Sequence, residues 1–124
     1  MSVVKTDAKK LWTTFPNSKG MVLAHGERLT MYYIEYDPNM TFPEHSHPQE
    51  QVGYCIEGEG EIGIGKDVFK ITPGCGYHIP PNEVHYEKNT GSTPFVCVDI
   101  FSPTREDLSS AYFNEKYFKG SRKD

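Results

Sequence analysis

Little in this chain points to a disulfide-built, membrane-spanning or nucleic-acid-binding protein. Cysteine is scarce: Cys55, Cys75 and Cys97 are three in 124 residues, an odd number with no Cys-x-x-Cys pair. A disulfide framework is therefore not expected, and a chain this long buries roughly two-thirds of its unfolded surface without one. No apolar run approaches the ~20 residues that a bilayer requires. The opening Met-Ser-Val-Val-Lys-Thr-Asp has no apolar core of a leader, so a reduced, cytoplasmic location is expected. A large charge of one sign is also missing. The net charge of −4 argues against nucleic acid as the main partner. The basic stretch Lys119-Gly-Ser-Arg-Lys123 is short and reads as a frayed end. Internal repeats and low-complexity segments are absent, and residues 1–124 are expected to form a single domain.

What is present is aromatic residues and turn formers. Eight Tyr and seven Phe are interleaved with eleven Gly and nine Pro, a composition that favours many short strands over long helices. Residues 1–14 read as an edge strand or a helical turn. Strand-like runs follow at Met21–Ala24, Leu29–Tyr36, Val52–Ile56, Glu61–Ile64, Val68–Ile71, Gly76–Ile79, Val84–Glu87 and Phe95–Phe101. Turn signals separate them at Asp37-Pro-Asn39, Glu57-Gly-Glu-Gly60, Lys66-Asp67, Thr72-Pro-Gly74, Pro80-Pro-Asn82 and Asn89 to Pro94. After Phe101 the pattern turns helical. Ser102 or Thr104 caps a helix over about 103–118, with Leu108, Ala111 and Tyr112 at helical spacing. The whole reads as all-β, a barrel or sandwich with a short C-terminal helix.

The chemistry concentrates in Phe42-Pro-Glu-His-Ser-His-Pro-Gln-Glu-Gln51. In a strand, residues two apart face the same way, so His45 and His47 share a face. Gln51 follows four residues on, and His85 stands in a later, Pro-rich segment. Any one histidine is more often an ordinary polar residue. Inward polar groups left unpaired, however, cost about 1–3 kcal/mol each, and a metal ion would remove that cost for all of them at once. Imidazole and amide donors suit a divalent transition ion such as Zn, Ni, Fe, Mn or Co. With Gln51 neutral, the ion keeps its full positive charge, which favours Lewis-acid chemistry over oxidation.

The last strand adds an anomaly. Phe95, Cys97, Asp99 and Phe101 share one face, and Asp99 is the only carboxylate among them. It reads as a general acid/base near the metal, or as a strand-end residue bonded to backbone. Arg105 follows and suits a substrate carboxylate, although a lone arginine is more often a surface residue. His78, His25, Cys55 and Cys97 have bland readings as structural, loop or core residues. Tyr33 and Tyr36 are left open as barrel-lining. Glu50 has the opposite parity to Gln51 and is no ligand candidate.

These spacings resemble the cupin family, whose first motif corresponds here to Asn39, His45, His47, Gln51 and Gly58. The second corresponds to Gly74, Pro80, Asn82, His85 and Asn89. Asn39 and Asn82 replace family glycines, a mild change because Asn tolerates left-handed backbone. Gln51 replaces the family's glutamate. The resemblance implies a double-stranded β-helix (jelly-roll barrel) with a metal inside, held by His45, His47, Gln51 and His85. The Asp99-x-Phe101-x-Pro103-x-Arg105 run narrows it, over about residues 20–105, to the KdgF-type cupins of pectin and alginate degradation. Those convert unsaturated uronate monosaccharides to linear keto sugars. The resemblance implies catalytic roles for Asp99, Phe101 and Arg105 and a small, anionic sugar as substrate. Another metal-dependent cupin enzyme (dioxygenase, lyase or cyclase) and a non-catalytic small-molecule binder remain open. Oligomerisation, as a homodimer, is expected through an outer sheet face covered by Tyr32, Tyr33 and Tyr36.

Overall fold

A computed structural model describes residues 3–108. Ten strands form two antiparallel sheets. They are β1 (Trp12–Phe15), β2 (Ser18–His25), β3 (Thr30–Tyr36), β4 (Thr41–His45), β5 (Glu50–Glu57), β6 (Gly60–Ile64), β7 (Asp67–Ile71), β8 (Gly76–Ile79), β9 (His85–Asn89) and β10 (Phe95–Ser102). The six-stranded sheet runs β1-β2-β3-β10-β5-β8, and the four-stranded one β4-β9-β6-β7. This is the jelly roll that the cupin resemblance implies, within the all-β barrel or sandwich class that the short, turn-separated apolar runs predict. The lead-in turns out to hold both alternatives, a single 3₁₀ turn at Ala8–Lys10 followed by β1. Among the described residues, no helix is long and apolar enough to cross a membrane.

Alternation decides which side chains enter the core. In β3, Thr30, Tyr32, Ile34 and Tyr36 are buried, and in β10 Phe95, Cys97, Asp99 and Phe101. Tyr36 stacks on Phe95 at 5.6 Å between centroids. Cys55 and Cys97 are buried free thiols. The parity of β3 overturns part of the outer-face expectation: Tyr32 and Tyr36 lie in the core, so only Tyr33 of the three can face outward. The outer face of the six-stranded sheet instead displays Val52, Tyr54 and Ile56.

The two asparagines in glycine positions do adopt left-handed backbone, with φ of 65° at Asn39 and 63° at Asn82. A short polar side chain tolerates that region where a β-branched one would not. Gly58 and Gly74, the other motif turn positions, also hold positive φ.

Several strands run a residue or more beyond the expected bounds, and two differences bear on the site. β4 stops at His45, so His47 stands in the link to β5 rather than in a strand. Pro48 lacks an N–H for a ladder, and here the chain crosses from one sheet to the other. The helix begins at Glu106, not at Pro103. Ser102 still belongs to β10, and its hydroxyl donates to Arg28 O instead of capping. The rest of the expected helix, to residue 118, lies outside the described residues.

Candidate metal centre

His45 ends β4 and His85 begins β9, and the two residues are register partners in the four-stranded sheet. Their rings lie 4.2 Å apart between centroids, and His47 reaches back to within 6.0 Å of His45 and 5.0 Å of His85. One ligand nitrogen from each of the three comes within 4.8 Å of the others. The three histidines do converge, with His45 and His85 supplied by strands and His47 by the link after β4.

Each ring is aimed by a main-chain carbonyl. His45 Nδ1 donates to Pro43 O at 2.8 Å, His47 Nδ1 to Gln49 O at 3.0 Å, and His85 Nδ1 to Glu83 O at 2.8 Å. A carbonyl only accepts, so Nδ1 carries the proton and Nε2 keeps a lone pair. Burial lowers the pKa of all three rings, that of His85 to about 4, and keeps them neutral near pH 7. His85 Nε2 is buried with no hydrogen-bond partner.

Gln51 is buried beside them from β5. Its side chain bonds Asp99 and its Oε1 lies 3.1 Å from His47 Nε2. With the His47 proton on Nδ1, two lone pairs face each other across that gap. A cation between them would turn repulsion into attraction. The orphaned His85 nitrogen makes the same demand, so the residues present fit a metal ion.

Asp99, from β10, faces the same cavity and is 4% exposed. Burial raises its pKa to about 6, against the opposing pull of hydrogen bonds from Tyr77 and Gln51. Tyr77 Oη donates to Asp99 Oδ1 from β8, two strands away. The register places Tyr77, Gly53 and Asp99 in one row. A Cβ on Gly53 would overlap both the Tyr77 ring and the Asp99 carboxylate, so only glycine lets them meet.

Phe101 packs edge-on against His47, with centroids 5.4 Å apart, and Arg105 lies 4.9 Å above its ring. Arg105 also forks onto Asp107, Nε to Oδ1 at 2.9 Å and Nη2 to Oδ2 at 2.7 Å. Neither of these two bonds uses Nη1. Six of the seven expected site residues therefore line one cavity, and the seventh, His85, packs against His45 and His47 beside it.

Sequence reading missed Tyr77, Asp107 and one further carboxyl group at the site. Glu87 lines the cavity and is 5% exposed, and burial, with Asp99 nearby, raises its pKa to about 8. It lies two residues after His85 on the same inward face, and that parity was the available signal. The bland readings fare differently. His78 is exposed and pairs with Glu50 at 2.7 Å, while His25 Nδ1 meets Thr30 Oγ1 at 3.0 Å at a strand end. Of the open tyrosines, Tyr36 lines the cavity and Tyr33 bonds Glu35 outside it.

Fold and site together define a class: a small jelly-roll barrel with an imidazole cluster able to hold a metal ion. The family described as Cupin domain matches residues 32–101, and the chain belongs to that family. Among solved structures it is similar to KdgF from a Halomonas species, with a TM-score of 0.81 and 21% identity over 87% of this chain and 98% of that one. An RmlC-like cupin from Shewanella frigidimarina superposes with a TM-score of 0.73 at 25% identity, covering 82% of this chain and 92% of that one. Among curated proteins, germin-like protein subfamily 2 member 2 of Arabidopsis thaliana is 33% identical over 75 residues, 56% of this chain. The chain spans 34% of that relative's length.

Proposed function

We propose that this cupin is a metal-dependent enzyme that converts unsaturated uronate monosaccharides to linear keto sugars. The observation that carries the reading is the meeting, in one cavity, of the histidine cluster with Asp99, Phe101 and Arg105. The likeness to a KdgF fold supports it. His45, His47, Gln51 and His85 would hold a divalent transition ion, which when bound supplies a Lewis acid for the sugar's oxygens.

The chain's own groups divide the remaining tasks. Asp99 Oδ2 takes the proton of the anomeric hydroxyl as the bond from the anomeric carbon to the ring oxygen breaks. An aldehyde and an enolate result. The enolate becomes a ketone by gaining, at the former double-bond carbon, the proton that Asp99 took, a return that Asp99 is placed to make. Tyr77 holds the carboxyl in position through Oδ1. Arg105 is steadied by Asp107 and Phe101 and offers Nη1 to the uronate carboxylate. Phe101 walls the pocket and limits water.

Loss of uronate ultraviolet absorbance on adding metal-loaded protein tests the proposal. If no unsaturated uronate turns over, or if Asp99→Ala leaves the rate unchanged, the proposal fails. Oxygen uptake with Fe(II) would point instead to a dioxygenase.

A homodimer through the outer face of the six-stranded sheet belongs to the same proposal. Val52, Tyr54 and Ile56 are 42%, 54% and 46% exposed there, and an apolar face of this kind is what a second copy would cover. A solution mass of a single 14.1 kDa chain would rule it out.

A further inference from the structure

Read from sequence alone, Gln51 in place of the family's metal-binding glutamate leaves the ion with only neutral ligands. The cavity holds a carboxylate from a different strand. Glu87 lies on β9 two residues beyond His85, and register sets it opposite Phe42 of β4 and Ile62 of β6. Its Oε2 is 3.7 Å from His85 Nε2 and its Oε1 is 4.0 Å from His45 Nε2.

These are the two nitrogens whose Nδ1 protons are committed to Glu83 O and Pro43 O. Each Nε2 therefore turns a lone pair, not a proton, toward the carboxylate. His85 Nε2 makes no hydrogen bond at all. Two lone-pair nitrogens and a buried carboxyl, which a bound cation would hold ionised, surround one point. The spacings are wider than direct contact, so the three groups would draw in around an ion placed between them.

We propose that Glu87 is a ligand of the metal and supplies the negative charge that Gln51 no longer provides. The carboxylate has moved from β5 in the six-stranded sheet to β9 in the four-stranded sheet. The bound ion then carries one positive charge less than a shell of three imidazoles and an amide would leave it. Glu87 also becomes a group that substrate oxygens must share or displace. The inference rests on the metal reading of the three histidines and not on the choice of a uronate as substrate.

The test uses the full chain, stripped of metal and titrated with Co(II) or Zn(II), comparing wild type with Glu87→Gln. Loss of an outer partner of a ligand already weakens metal binding about 10–100-fold, so loss of the ligand itself should weaken it at least about ten-fold. The visible Co(II) spectrum should change as well. A crystal structure of the zinc-loaded wild type should place a Glu87 oxygen about 2.0–2.2 Å from the ion. Wild-type affinity and an unchanged Co(II) spectrum in the variant would overturn the proposal. So would a loaded structure with Glu87 outside the shell, and that measurement decides the matter even if the variant fails to fold. Coordination by Glu87 without uronate turnover would overturn the substrate reading and leave this one standing. Absence of metal binding to the wild type would remove both.

Discussion

β9 and β10 send alternate side chains into the same interior and fill it with opposite chemistry. β9 contributes His85, Glu87 and Asn89, all buried. β10 contributes Phe95, Cys97, Asp99 and Phe101, with one carboxyl among less polar neighbours. The polar face of β9 itself divides in two. Asn89 Nδ2 donates to Tyr36 O and Thr93 O, both at 2.9 Å, and its Oδ1 accepts from Gly91 N at 2.8 Å. His85 has one nitrogen bonded and the other orphaned. Buried polar groups are nearly always paired. A residue that the chain itself saturates therefore belongs to the architecture, whereas one left half-paired toward a cavity awaits something from outside. Asp99 lies between these cases, paired through Tyr77 and Gln51 yet open to the cavity.

The largest effect is expected at Asp99. Asp99→Asn should lower kcat/KM on unsaturated uronates by about 10²–10⁴-fold, the usual span for a lost acid/base group, with metal content unchanged. Burial places the Asp99 pKa at about 6, and a base must be ionised to accept a proton. Wild-type kcat/KM should therefore fall as the pH drops through about 6, and the variant should lack that limb. A flat wild-type profile across that range would remove Asp99 from the role.

The next contrast sets two residues of β9 against each other. Asn89→Ala leaves three backbone groups without their partner, and it should cost about 2–4 kcal/mol in urea denaturation while leaving metal affinity intact. His85→Ala should abolish stoichiometric metal binding, measured by metal content after dialysis. If Asn89→Ala also lost the metal, the division between saturated and half-paired residues would not hold.

The smallest effect should come from Tyr77→Phe. The phenol hydrogen bond favours the ionised form of Asp99, so removing it should raise the carboxyl pKa. The acid limb of the rate profile should move upward by up to about one pH unit, with little change in the plateau. A downward shift would contradict the geometry.

The fold was largely legible because strand alternation and turn residues are local properties. Ile62 and Ile64 between glycines, or Phe95 through Phe101 with alternate residues buried, announce their strands without any partner. Asn39 and Asn82 announced left-handed turns for the same reason. The histidines were legible through spacing, although the premise of a shared strand holds only for His45. What stayed hidden depends on register between distant segments. Tyr77 meets Asp99 only because Gly53 lies between them in the sheet. Asp107, two residues beyond Arg105, takes the guanidinium fork, which the sequence alone assigned to a ligand. Glu87 was the avoidable omission. Its parity with His85 was readable, but a glutamate near a strand end looks exposed until the sheet is closed.

The three carbonyls that orient the imidazoles belong to Pro43, Gln49 and Glu83, and none of these contributes its side chain to the task. Aim is therefore encoded in the path of the chain and not in the identity of the flanking residues. Positions 43, 49 and 83 can drift through evolution while the same lone pairs keep converging, provided that the bends survive. Descendants of such a barrel would keep the aim of their imidazoles long after their sequences had ceased to look related. A search that compares backbone paths around paired histidines would find them where one that compares letters would not.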